Sequence, residues 1–180
     1  MVDNVNFSFS KACQVFSRVP FLILNLALMY FFQYTIQQAL VVGCTNNIKQ
    51  TMPGHHREFI YDNAFVIFNL CYQSGVFIMR SSLSLVKIRQ IGFLTIAQSI
   101  LFALFFANSV FTLSSNIMVW FGLIFVVGLL AGACSVNVMH LIKTSDQLKK
   151  TEKELALNIS FVCNDCGTLL ASLVSLALTT

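Results

Sequence analysis

Apolar residues come in five long runs separated by short polar stretches. Each run approaches the ~20 residues that a helix needs to cross hydrocarbon. The pattern predicts helices at Pro20 to Val42, about Tyr61 to Met79, Ile91 to Phe111, Ile117 to Ile142 and Glu154 to Leu178. The runs are unbroken, not the ~10-residue alternating segments of a membrane barrel. In lipid a lone segment satisfies its own backbone only as a helix. The expected fold is an all-α membrane protein with five transmembrane helices, organised as one helical domain over residues 1–180. Phe7, Phe9, Val15 and Phe16 predict a short amphipathic lead-in over residues 1–19, lying on the membrane surface. Asp3, Asn4, Asn6, Lys11 and Arg18 interrupt that stretch, so it does not read as a secretory signal. Thr151-Glu-Lys-Glu154 has capping-box spacing, with Thr151 as N-cap of the last helix.

A helix advances about 100° per residue, so its polar positions can be assigned to faces. Tyr30, Gln33, Tyr34 and Gln37 share one face of the first helix. Asp62, Asn69, Gln73 and Arg80 form a stripe along the second, roughly 27 Å long at ~1.5 Å per residue. On the fifth, Asn158, Asn164, Asp165, Thr168, Ser172 and Ser175 cluster on one side. The fourth has two faces: Gly128, Gly132 and Ser135 form a small-residue packing face with GxxxG spacing, and Asn137 and His140 lie elsewhere. The third carries mainly Gln98 and Ser99, and is expected to face lipid more than the others. Four polar faces can converge on one polar seam. The seam is either interhelical glue or a solute or ion pathway, and an ionisable Asp165 well inside a span favours the pathway. Arg80, nearer a helix end, can also snorkel.

Composition strengthens the membrane reading. The 180 residues are 57% hydrophobic and 10% charged, with 18 Phe, against about 25% charged in an ordinary soluble domain. This excludes a disordered chain and a nucleic-acid module coated in Lys and Arg. Charge placement then sets an expected orientation. Nine of the 11 basic residues fall before the first helix, between the second and third, and between the fourth and fifth. Only Lys49 and Arg57 fall on the other side. Basic loops stay cytosolic, so the N-terminus is expected in the cytosol and the C-terminus in the lumen. The sequons Asn6-Phe-Ser and Asn158-Ile-Ser should then remain unglycosylated.

The familiar chemical signatures do not occur: there is no P-loop, G-x-G-x-x-G, G-x-S-x-G or H-E-x-x-H. No enzyme activity, cofactor or metal is expected. His55-His56 reads as an exposed loop pair. Cys163-Asn-Asp-Cys166 has C-x-x-C spacing but lies inside a span with no βαβ context, and its cysteines read as small packing residues. Cys13, beside the first span, is a candidate for palmitoylation.

Four segments carry a resemblance. They are Leu28-Met-Tyr-Phe-Phe-Gln-Tyr-Thr-Ile-Gln-Gln38, Tyr72-Gln-Ser-Gly-Val-Phe-Ile-Met-Arg-Ser-Ser-Leu83, Gly128-Leu-Leu-Ala-Gly-Ala-Cys-Ser-Val-Asn-Val-Met-His140 and Thr144-Ser-Asp146. Together with Glu154-Leu-Ala-Leu157, Asn164-Asp165 and Gly167, in that order, they resemble the battenin family, the Batten-disease proteins of lysosomes and vacuoles. The chain resembles the C-terminal part of that family, whose members are similar to major-facilitator transporters with two helical lobes. The resemblance implies a lobe of a transporter for a small polar solute, in a lysosomal, vacuolar or late-endosomal membrane. It links the chain to organelle pH and to transport of basic amino acids or glycerophosphodiesters. The implied partners are membrane lipid, the solute, and either a missing N-terminal lobe or a second copy. Asp165, Arg80, Tyr72, Asn137 and His140 fall within matching motifs; Gln33 stands where the family can carry a Glu. On this reading Asp165 binds solute or proton, Arg80 pairs with an anionic group or gates the cytosolic side, and Tyr72, Gln73, Asn69, Asn137 and Gln33 line the path. The alternative is a non-transporting membrane adaptor acting through the Gly128 to Ser135 face and the basic loop Lys143 to Lys153.

Overall fold

Helices account for nearly all of the computed structural model, which describes residues 9–51, 59–82 and 87–179. They are α1 (Phe9–Phe16), α2 (Pro20–Thr35), α3 (Val41–Thr51), α4 (Phe59–Asp62), α5 (Ala64–Ser81), α6 (Ile91–Phe111), α7 (Ile117–Thr144) and α8 (Lys150–Thr179). A five-residue π turn, Ile36–Leu40, joins α2 to α3 without a break. No strand occurs among the described residues.

Among the described residues, α6, α7 and α8 are long and apolar enough to cross a membrane. The rod that runs from α2 through α3 adds a fourth when taken with α1, which meets it at 86°. The expected second span does not qualify. At 18 residues α5 is short, and Asn69, Tyr72, Gln73 and Arg80 dilute its apolar surface. The count established by length and composition is therefore three or four, not five.

Several element ends differ from the sequence expectation. The first helix runs on past Val42 to Thr51, because Cys44 and Ile48 are buried one turn apart against α6. The Cys44 thiol donates to the Phe105 carbonyl at 3.5 Å, and the Asn47 amide donates to the Ser109 carbonyl. The second breaks at Asn63, so Asp62 sits on α4, off the stripe it was assigned to. The last helix starts at Lys150. The Glu152 carboxylate, not Glu154, reaches back to the Lys149 N–H at 2.8 Å, so the cap lies two residues earlier than Thr151. Residues 1–8, His55 and His56 lie outside the described residues.

Packing is organised around two helix pairs. The α5·α7 pair is held by glycine: a Cβ on Gly128 would collide with the Tyr72 backbone, and one on Gly132 would meet the Val76 carbonyl at 2.8 Å. Reciprocally, a Cβ on Gly75 would strike the Phe125 carbonyl. The α2·α8 pair uses Gly167 against the Ala27 backbone. On α8, Ala156, Ser160, Asn164, Gly167, Ala171 and Ser175 form the buried face, a second close-approach surface of small residues. α2 and α7 also pack on each other, and α6 packs across both. α8, not α6, is the least buried of the three candidate spans. α6 instead buries Thr95, Gln98 and Asn108 against α2, α3 and α7.

Two apolar cores result. One gathers Ile36, Leu40, Phe68, Leu101, Phe105, Trp120 and Ile124; the other gathers Ile23, Leu26, Met29, Leu94, Cys134, Val138 and Ile142. Gln33, between Met29 and Ile36, and Gln98, between Leu94 and Leu101, lie on the borders of the two. Both side chains are buried, and neither amide oxygen has a hydrogen-bond partner in the structure.

Candidate functional site

Most intramembrane polar groups bond to their own helix. Thr35, Thr45, Ser74, Ser99, Ser160, Thr168 and Ser172 each donate to the carbonyl four residues back at 2.7–3.0 Å. This back-bonding satisfies a hydroxyl in an apolar setting without an interhelical partner. These groups therefore do not form the seam.

What remains is a cleft between α2 and α5. These helices do not pack backbone to backbone; α7 packs on both and forms the floor between them. Several polar side chains reach across. Near one end, the Arg80 guanidinium lies within electrostatic reach of the Tyr30 and Tyr72 phenols. Tyr34 is close to both tyrosines, with its ring centroid 6.1 Å from that of Tyr30. Farther along, the Gln37 amide donates to the Asn69 side-chain oxygen at 2.8 Å. Gln37 belongs to the π turn, whose wider coil shifts the side-chain register relative to an α-helix. Tyr72 is buried, Asn69 half-buried, and Gln73 and Arg80 exposed.

The other expected site residues are placed elsewhere. Gln33 is buried between the cores. Asn137 is buried with both amide atoms engaged: its oxygen accepts the Ile88 N–H at 2.8 Å and its nitrogen donates to the Ala133 carbonyl at 2.8 Å. It fixes the segment before α6. His140 lines a small cavity with Lys87 and Arg89. Gly128 and Gly132 are occupied by α5, and the Ser135 hydroxyl bonds to the Gly132 carbonyl. Asp165 is on the exposed side of α8, next to buried Asn164, and no Lys or Arg ion-pairs with it among the described residues. Cys163 is half-buried against an apolar core, and Cys166 is exposed. The same residues hold no group of three potential metal ligands.

Two features were missed at the sequence level. One is Tyr30 of the first helix and Tyr72 of α5 meeting Arg80 from two helices. The other is an ion pair, Arg18 Nη1 to Glu152 Oε2 at 2.9 Å, which ties the corner before α2 to the start of α8. No local pattern reports a pairing between residues so far apart in sequence.

Comparison with known proteins adds a family. The model of the CLN3 protein family matches residues 2–180. Battenin of Dictyostelium discoideum is 39% identical over 148 residues, 82% of this chain and 34% of that protein. Protein BTN1 of Yarrowia lipolytica is 35% identical, covering 85% of the chain and 37% of its own length. Battenin of Canis lupus familiaris is 30% identical over 96% of the chain and 37% of its own length. The chain thus spans about a third of the length of these relatives. No solved structure matches.

Proposed function

The chain belongs to the CLN3 protein family, and on that premise we propose that it is one lobe of a transporter for a small polar solute in a lysosomal or vacuolar membrane. The observation that carries this is the placement of Arg80 and Asp165. Asp165 is exposed near the middle of apolar α8, and Arg80 is exposed at the end of α5 beside Tyr30 and Tyr72. Charge facing lipid costs several kcal/mol, so such groups face water or protein. These exposed faces therefore border a hydrated path completed by further chain, either a first lobe or a second copy. Alternating access needs two such halves around one site.

In this reading α5 is the fifth membrane-crossing helix. Its polar side is turned to the cleft, which lowers the mean apolarity of the helix as a whole. Arg80 attracts an anionic group of the solute, and Tyr30, Tyr34 and Tyr72 orient it through their hydroxyls. Gln73 and Asn69 extend the path, and Asp165 binds a cationic group or a proton. A solute with an anionic group and several hydroxyl or amine groups fits these donors; glycerophosphodiesters and basic amino acids both qualify. The end bearing Arg18, Arg89 and the Lys143 to Lys153 loop is cytosolic on the basic-loop rule, with the C-terminus lumenal and α1 on the membrane surface.

The test is efflux from vesicles of the organelle, with labelled arginine and a labelled glycerophosphodiester as probes. Asp165→Asn and Arg80→Gln should each abolish efflux while surface labelling shows normal folding. Full efflux in both variants overturns the reading. The adaptor alternative keeps only the basic loop, since the Gly128 and Gly132 surface already receives α5.

A further inference from the structure

Two cavities lie together at the basic end of the bundle, away from the α2–α5 cleft. The larger, about 740 Å³, is lined by Arg18, Phe21, Arg89, Thr144, Ser145 and Asp146, among others. The smaller, about 240 Å³, adds Lys87 and His140 and shares Arg89, Leu141 and Thr144 with its neighbour. We propose that these joined cavities hold the phosphorylated polyol headgroup of an anionic membrane lipid.

The walls are built. Arg18 is anchored by the Glu152 carboxylate at 2.9 Å and the Gln147 carbonyl at 3.3 Å. Glu152 offsets part of its charge, but the guanidinium keeps further N–H donors for a phosphate. Arg89 follows Ile88, whose N–H is fixed by Asn137 at 2.8 Å. Buried Leu148 pins the loop between α7 and α8, and buried Val19 pins the α1–α2 corner. The frame thus presents two guanidinium groups to one cavity, the fork geometry that suits phosphate oxygens. At the other end Lys87 supplies a further cation and the His140 ring a polar partner for a phosphate or hydroxyl. Asp146 would repel a bare anion, but it accepts hydrogen bonds from hydroxyls, so the fit is to a phosphorylated polyol and not to phosphate alone.

Lipid is the favoured source because apolar surface adjoins the cavity. Phe21 is 61% and Leu24 56% exposed at the start of α2, where acyl chains would lie beneath a bound headgroup. α1 leaves this corner at 86° to α2, along the plane of the membrane. Exposed Lys143, Lys149 and Lys150 add to the local positive potential that attracts an anionic leaflet. The inference needs the membrane placement of the chain and is independent of transport.

Native mass spectrometry of the chain released from detergent would test it. The probes are a short-chain phosphatidylinositol bisphosphate, a short-chain phosphatidylserine and free inositol trisphosphate. The bisphosphate lipid should persist as a single adduct, and Lys87→Gln with Arg89→Gln should cut its retention about 30-fold. Both residues lie in the irregular segment before α6 and are exposed, so the double variant should keep the wild-type melting temperature. Lys49→Gln, on α3 at the opposite end, should change nothing. Equal retention of phosphatidylserine, or no loss in the double variant, overturns the proposal. Inositol trisphosphate binding as tightly as the lipid would mean a soluble-phosphate site instead.

Discussion

Gly128 and Gly122 sit on the same helix, yet adding one methyl group should act oppositely at the two. A Cβ at Gly128 runs into the Tyr72 backbone, whereas one at Gly122 meets nothing within 4 Å. Gly128→Ala should therefore cost about 1–3 kcal/mol through forced separation of α5 and α7. Gly122→Ala should be neutral or slightly stabilising through helix propensity. Thermal melts in detergent followed by size-exclusion fluorescence would show the difference, and equal effects would refute the packing assignment. A second residue-scale prediction concerns Gln37 and Asn69. Their 2.8 Å bond bridges the cleft, and a double-mutant cycle to Leu and Val should give a coupling of roughly 0.6 kcal/mol, the typical worth of such a bond in membranes. A zero coupling would mean that the bond does not hold α2 to α5.

At the scale of elements, the π turn predicts an asymmetry between deletions. Gln38 is exposed within it, so removing that residue should restore α geometry and leave the fold near wild-type stability. Removing Leu26, buried in α2, would rotate one part of the helix by about 100° relative to the rest and should abolish the folded state. Similar melting temperatures for the two deletions would contradict the register described. Element legibility followed polarity. α6 was readable to the residue because its apolar run ends sharply at Gln90 and Thr112. α3 was not, since Thr45, Asn46, Asn47, Lys49 and Gln50 read as loop while only Cys44 and Ile48 carry the helical period. The buried face of α8 mixes Ser, Asn, Gly and Ala, so hydropathy shows it as weakly polar when its actual property is smallness. The α2–α5 cleft was half legible. The tyrosine and Arg80 faces could be drawn on each helix, but which helices oppose one another depends on glycine contacts of α7 that no single helix displays. The backbone contact of Asn137 was not legible, because a buried amide looks the same in sequence whether it binds solute or a neighbouring backbone N–H.

For the whole molecule, the proposed path predicts which surfaces of the exposed charged faces meet water in the membrane. In a background without native cysteines, Gln73→Cys should react with aqueous thiol reagents in the membrane, while Ile78→Cys, exposed about 140° around α5 from Gln73, should not. Protection of both would make the α5 polar side a protein contact without a path. Asp165 has a further consequence during synthesis. An uncovered carboxylate near a helix centre costs about 2.5–3.5 kcal/mol on the insertion scale, so α8 with an uncovered Asp165 face should be held less firmly by the bilayer than the same helix without the charge. A chain expressed alone should turn over quickly, and Asp165→Leu should lengthen its half-life in pulse–chase; an unchanged half-life would refute this. On that prediction the carboxylate proposed for the pathway would also act as a timer, marking for removal any copy whose α8 face stays uncovered.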